Sequence, residues 1–173
     1  MSYFIIIRGP LGIGKSTIAK ALAKKLSAEY ISMDQILKEN GLDVRGNEPC
    51  IPARNFIKAN EIVLSKVKRD LKDKIVIFDG CFYHKEQIKH LEVYLPFEHY
   101  EFNLKAPIEV CIARDSKRKQ SYGEGAARAV YSLVTKFDHG INIDTENKTK
   151  NQVVKEILSH LPPRFNLRVV KTL

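Results

Sequence analysis

Residues 3–7 form an apolar run, Tyr3-Phe4-Ile5-Ile6-Ile7, that leads directly into Arg8-Gly9-Pro10-Leu11-Gly12-Ile13-Gly14-Lys15-Ser16-Thr17. No other stretch restricts the chain so strongly. The run reads as a buried strand, and apolar Ile18, Ala19, Leu22, Ala23 and Leu26 after the glycines fall at helical spacing. Glycines between a strand and a helix let the chain turn sharply and let backbone N–H groups face a common point. The helix beginning near Lys15 aims its positive dipole end at that same point. The spacing Gly9-x4-Gly14-Lys15-Ser16 is that of a phosphate-binding loop. It arises by chance in on the order of one window in a hundred thousand. We therefore expect Gly9, Gly12, Ile13, Gly14, Lys15, Ser16 and Thr17 to hold ATP, with Lys15 on the β- and γ-phosphates and the Ser16 hydroxyl on Mg²⁺.

The rest of the chain alternates strand and helix. Strands are expected at 3–8, 30–31, 74–78, 99–104 and 141–143. Helices are expected at 15–27, 34–40, 53–72, 84–95, 107–117, 126–137 and 149–160. Gly41 closes the second helix, Pro107 opens the fifth, and Thr149 caps the last. Such alternation implies an α/β fold with a mostly parallel sheet and helices on both faces. We expect a three-layer sandwich with five parallel strands in the order 2-3-1-4-5 and a helical lid. One domain spans 1–161, its lid near 114–128, and 162–173 form a tail bearing Arg164, Arg168 and Lys171.

Composition narrows the function classes. The chain has 173 residues, 44% of them apolar, and a net charge of +9. That length suits one domain with one core, and the basic balance suits phosphate-rich ligands. No window reaches the ~18 apolar residues of a membrane span, and the first residues read as a core strand, not a leader. Cys50, Cys81 and Cys111 lack metal-ligand spacing, as do the histidines, so free thiols in the cytoplasm are expected. A GTPase-type base motif is missing, because Asn147-Lys148-Thr149-Lys150 lacks the aspartate. The strand Ile75-Val76-Ile77-Phe78-Asp79 ends in a single acid before Gly80, not the acidic pair of an assembly ATPase.

With these motifs the chain resembles the small P-loop kinases of the nucleoside-monophosphate-kinase type. They include shikimate kinase, gluconate kinase, chloramphenicol phosphotransferase and the kinase domain of polynucleotide 5′-kinase. Arg114-Asp115-Ser116-Lys117-Arg118 and Arg128-Ala129-Val130-Tyr131 are similar to the lid motifs of polynucleotide kinases. The resemblance implies a kinase that passes the γ-phosphate of ATP to a hydroxyl. The acceptor would be a small molecule, nucleoside or nucleotide, with a polynucleotide 5′-hydroxyl and a nucleotide-binding regulatory role as alternatives. The resemblance gives Asp34, after the second strand, the role of holding or deprotonating the acceptor hydroxyl; a helix N-cap is its other reading. Polynucleotide kinases carry an arginine three residues later, where this chain has Leu37, with Lys38 next. Asp79 would hold Mg²⁺ through water or bind the acceptor; a turn aspartate is the alternative. Arg114 would pack on adenine and Arg118 would neutralise the transferring phosphoryl group, both on one helix face. Lys38, Arg54 and Arg128 are further acceptor-side candidates, and Gly123 and Gly125 fit a mobile lid. A monomer or a homodimer is compatible with all of this.

Overall fold

The computed structural model describes residues 2–163. The expected tail residues Arg164, Arg168 and Lys171 lie outside that range. The order is β1 (Phe4–Arg8), α1 (Lys15–Leu26), β2 (Glu29–Ser32), α2 (Met33–Glu39), α3 (Ala53–Asp70) and β3 (Val76–Gly80). It continues with α4 (Lys85–Tyr94), β4 (His99–Lys105), α5 (Ile108–Ser116), α6 (Glu124–Val134), β5 (Ile141–Asp144) and α7 (Lys150–Ser159). The five strands pair in the order β2-β3-β1-β4-β5, and every pairing is parallel.

The central strand explains the layering. All five residues of β1 are buried. Successive side chains of a strand point to opposite faces. Ile5 and Ile7 accordingly pack with Ile18, Leu22 and Leu26 of α1 and with Val153 and Ile157 of α7. Phe4 and Ile6 face the other way, onto Phe56, Val63 and Val67 of α3 and Ile88 and Leu91 of α4. Each such side chain contributes about 1.5–3 kcal/mol by leaving water. A strand with two buried faces reads as a continuous apolar run, which is why β1 and β3 are legible in the sequence.

Several boundaries differ from the sequence reading, each for a local reason. Ser32, not Asp34, caps α2: its backbone is extended and its hydroxyl accepts from the Gln35 N–H at 3.3 Å. Asp34 therefore lies in the first turn. β3 runs through Asp79 and Gly80, which pair with Ile7 and Arg8, so Asp79 is a strand residue and not part of a turn. Pro107 precedes α5 as its N-cap. That helix ends at Ser116, so Arg118 does not share a helical face with Arg114. α6 starts at Glu124 and takes Gly125 into its first turn, leaving Gly123 as the loop glycine. Thr149 does cap α7, with Gln152 returning the bond to its backbone.

Candidate active site

In parallel sheets of this kind the loops after the strands gather at their carboxyl ends. Here the loop after β1 wraps the start of α1, and its glycines have a steric reason. Gly12 has φ +77°, and a Cβ there would lie 2.1 Å from the Cys111 carbonyl oxygen. The loop thus packs directly on α5. Ile13 is buried beneath it. Gly12, Gly14, Lys15, Ser16 and Thr17 line a cleft of about 280 Å³ that Arg114 and Arg118 close from the opposite side. Gly9 belongs to the strand end of the loop and does not line the cleft. Seven donors and cations around one cleft form a site for a polyphosphate.

A second cavity, about 890 Å³, adjoins it. Arg118 lines both. Its walls come from Asp34, Leu37 and Lys38 of α2, Ile51 and Phe56 around the start of α3, and Cys81 and Tyr83 after β3; Tyr122 and Val130 cover it. Arg54 and Arg128 are not brought to either cavity. Arg54 pairs with Glu48 at 2.5 Å and Arg128 with Glu124 at 2.8 Å, both on exposed side chains.

The electrostatics centre on Lys15, whose ammonium donates to the Pro10 carbonyl at 2.9 Å. Burial by itself lowers the Lys15 pKa, but its neighbours Cys81, Asp34 and Asp79 outweigh it, and the net shift is upward. Burial also pushes the Cys81 thiol up to about 11. Asp34 shifts upward too: desolvation dominates, Asp79 adds to it, and Lys15 and Arg118 oppose it. Its carboxylate is surrounded by protein yet reaches solvent through the open cavity. A carboxylate with a raised pKa in a cleft suits proton transfer.

Asp79 sits behind Lys15, 2% exposed. Its Oδ2 accepts from the Tyr30 hydroxyl at 2.7 Å, while Oδ1 is buried without a hydrogen-bond partner. Asp79 lines neither cavity, so the structure does not bring it to an acceptor, and its orphaned oxygen would serve Mg²⁺ only through water. Arg114 is held in place: it donates to the Thr145 carbonyl at 2.7 Å, the Thr145 hydroxyl at 3.1 Å and the Ile13 carbonyl at 3.4 Å. It therefore ties the phosphate loop to the segment after β5.

Sequence reasoning missed two residues that shape the site. Asp115 is 1% exposed. Its Oδ2 accepts from the Ser121 hydroxyl at 2.6 Å and from the Tyr122 and Gly123 N–H groups at 2.9 and 3.2 Å, and its Oδ1 lies 3.5 Å from Arg118. It thus sets both the lid loop and the arginine. Arg8, fully buried at the end of β1, binds the loop after β3, β4 and the end of α6. Asp115 gave a signal only as an acid inside a basic run; Arg8 gave none beyond a charge ending an apolar strand.

Comparison with known proteins agrees with a P-loop kinase fold. A "Putative adenylate kinase" of Pyrococcus abyssi is 28% identical over 173 residues, 95% of this chain and 87% of its own. A shikimate kinase of Francisella tularensis is 36% identical over 77 residues, 44% of this chain and 43% of its own. The crystal structure of a sugar kinase from Janibacter superposes with a TM-score of 0.73 at 16% identity, covering 92% of this chain and 94% of the other, which supports the fold. No helix among the described residues is long and apolar enough to cross a membrane. Residues 5–131 match the family AAA_18, AAA domain, and the chain belongs to that P-loop family.

Proposed function

We propose that this P-loop phosphotransferase passes the γ-phosphate of ATP to a hydroxyl of a small molecule, nucleoside or nucleotide bound in the larger cavity. One observation carries the reading: Asp34 and Arg118 line one cavity, and Arg118 also lines the phosphate cleft. In this reading a base and a cation would flank the path of the phosphoryl group.

Lys15 and the loop N–H groups would hold the β- and γ-phosphates. Ser16 would ligate Mg²⁺ directly and the free Oδ1 of Asp79 would hold its water shell; the ion would screen the phosphate charge. Arg114, fixed against Thr145, would support the adenine. Asp34 would orient the acceptor hydroxyl and take its proton, and Arg118 would stabilise the charge in transit. Phe56, Tyr83 and Tyr122 give the cavity aromatic walls, which favour an acceptor carrying a ring, such as a nucleoside. Closure of the lid over Tyr122 would keep water from competing as acceptor.

A phosphate acceptor is the second reading. It is favoured by the adenylate-kinase name of the relative and by Lys38, Arg118 and Lys119 in the cavity wall. A phosphate acceptor has no need of a base such as Asp34. The test is ADP formation from ATP and Mg²⁺ with nucleosides, nucleoside monophosphates, sugar-like metabolites and 5′-hydroxyl oligonucleotides. Lys15→Ala serves as the control. Stimulation by a hydroxyl acceptor, lost in the control, supports the proposal. Stimulation by AMP alone replaces it with the second reading, and by oligonucleotides alone with a polynucleotide kinase. ATP binding without stimulation by any acceptor favours a regulatory protein.

A further inference from the structure

The opposite end of the strands holds a cluster that phosphoryl transfer does not use. Glu92 stands in the last turn of α4, His99 and Glu101 open β4, and His139 precedes β5. One ligand atom each from Glu92, His99 and Glu101 lies within 4.8 Å of the other two. His99 Nε2 is 3.7 Å from Glu92 Oε1 and 3.8 Å from Glu101 Oε1, and His139 Nε2 is 4.0 Å from Glu92 Oε1. Around a tetrahedral zinc with bonds of ~2.1 Å, neighbouring ligand atoms lie roughly 3.4 Å apart. The two His99 distances already approach that value, and the two carboxylates, within 4.8 Å of each other, would draw together around an ion.

Three further observations point to a cation. Glu101 is 7% exposed, and its Oε1 is buried without a hydrogen-bond partner. A lone buried carboxylate oxygen facing an imidazole is costly unless something positive meets it. The histidine is also oriented as a ligand. Its Nδ1 lies 3.4 Å from the Phe97 carbonyl, a partner for a proton on that nitrogen, while Nε2 faces the carboxylates; its ring stacks on Phe4 at 4.8 Å between centroids. This is the outer bond that metal-ligating histidines commonly make. His139 Nδ1 bonds Glu101 Oε2 and so orients that carboxylate from behind. Gly140 makes the approach possible, because a Cβ there would lie 2.3 Å from the Glu101 carbonyl oxygen.

We infer that Glu92, His99 and Glu101 form a binding site for a divalent transition-metal ion, zinc by preference, with His139 as the positioning residue behind Glu101. Mixed imidazole and carboxylate donors select such ions over magnesium. The site lies at the start of β4, whereas the phosphate loop follows the end of β1. These are opposite ends of paired strands, roughly 15 Å apart for five residues of strand. The ion would pin the end of α4 and the approach to β5 to the sheet, and its role would be structural.

The test uses tag-free full-length protein stripped with chelator, then titrated calorimetrically with Zn²⁺ and, separately, with Co²⁺ while visible absorption is recorded. We expect one ion per chain, cobalt absorption typical of low coordination, a raised Tm, and no displacement by millimolar Mg²⁺. Glu92→Gln and His99→Ala should each weaken binding at least tenfold, and Lys15→Ala should leave it unchanged. Glu92 is half-exposed, so its variant decides the matter if His99→Ala does not fold. Absence of binding, unchanged affinity in the folded variants, or affinity lost in Asp79→Asn or Cys81→Ser instead would overturn the inference.

Discussion

Replacing Arg8 with methionine keeps most of the side-chain volume and removes every donor. Arg8 donates from Nε to the Phe82 carbonyl at 3.0 Å, from Nη1 to Asn103 Oδ1 at 2.8 Å and from Nη2 to the Val134 carbonyl at 2.7 Å. Its guanidinium also covers the Phe137 ring at 4.1 Å. Burial lowers its pKa to about 10, so it remains a cation at neutral pH. The variant strands three buried acceptors, each costing about 1–3 kcal/mol. Removing the buried charge returns part of that, because its own desolvation disappears. The net expectation is a loss of about 3 kcal/mol, a Tm lower by roughly 6–12 °C in a domain of this size. Function should suffer unevenly. Phe82 lies between cavity residues Cys81 and Tyr83, and Val134 ends the helix that carries Val130, so the KM for the acceptor should rise more than the KM for ATP. Urea unfolding at pH 7 and steady-state kinetics read both effects. Arg8→Lys, with one compact donor group, should fall between the two. A loss below about 1 kcal/mol with an unchanged acceptor KM would refute the claim that this guanidinium joins the lid helix to the sheet.

Asp34→Asn should lower kcat by about 10²–10⁴, the usual worth of a positioned base. Because the Asp34 pKa is raised, the wild-type rate should fall with decreasing pH at a higher value than an ordinary carboxylate would give, and the variant should lose that limb. Gly12→Ala should abolish ATP binding in a calorimetric titration, since its Cβ would meet the Cys111 carbonyl at 2.1 Å in a left-handed backbone. Asp115→Asn should raise the KM for both substrates by loosening the lid loop, and protease cleavage within 117–123 should quicken. Desolvation raises the Asp115 pKa, but bonds from Ser121, Gly123 and Tyr122 outweigh it and leave it below 3.8. Its stabilising effect is therefore complete above that pH and fades only as pH falls through the lower folded value, which acid unfolding of the pair would display.

Helices and strands were legible wherever one residue's neighbours in sequence decided its fate. The buried β1 and β3, the helical spacing of α1 and the cap at Thr149 all follow from local pattern. The errors fall at element ends, where two plausible caps compete. Ser32 displaced Asp34 because its position two residues earlier let its hydroxyl reach the Gln35 N–H. Arg114 and Arg118 were separated because α5 stops at Ser116, where Asp115 draws the following loop back onto itself. Arg54 found Glu48 across the loop before α3, a pairing set by how that loop folds, whereas Arg128 pairs with Glu124 one helical turn earlier, a spacing that the sequence already carries.

The sequence by itself determined that this chain binds a polyphosphate. That function needs only a strand, a few glycines, a lysine and a hydroxyl, and all of them are contiguous. Tertiary structure alone decided what could lie beside it. The larger cavity draws on residues between Leu11 and Val130 that meet only when α2, α3, α6 and the loop before α6 pack around the sheet. The acid, imidazole and carboxylate cluster at the far end of the strands likewise joins α4, β4 and the approach to β5. Long-range packing sets those distances, and no spacing along the chain encodes them.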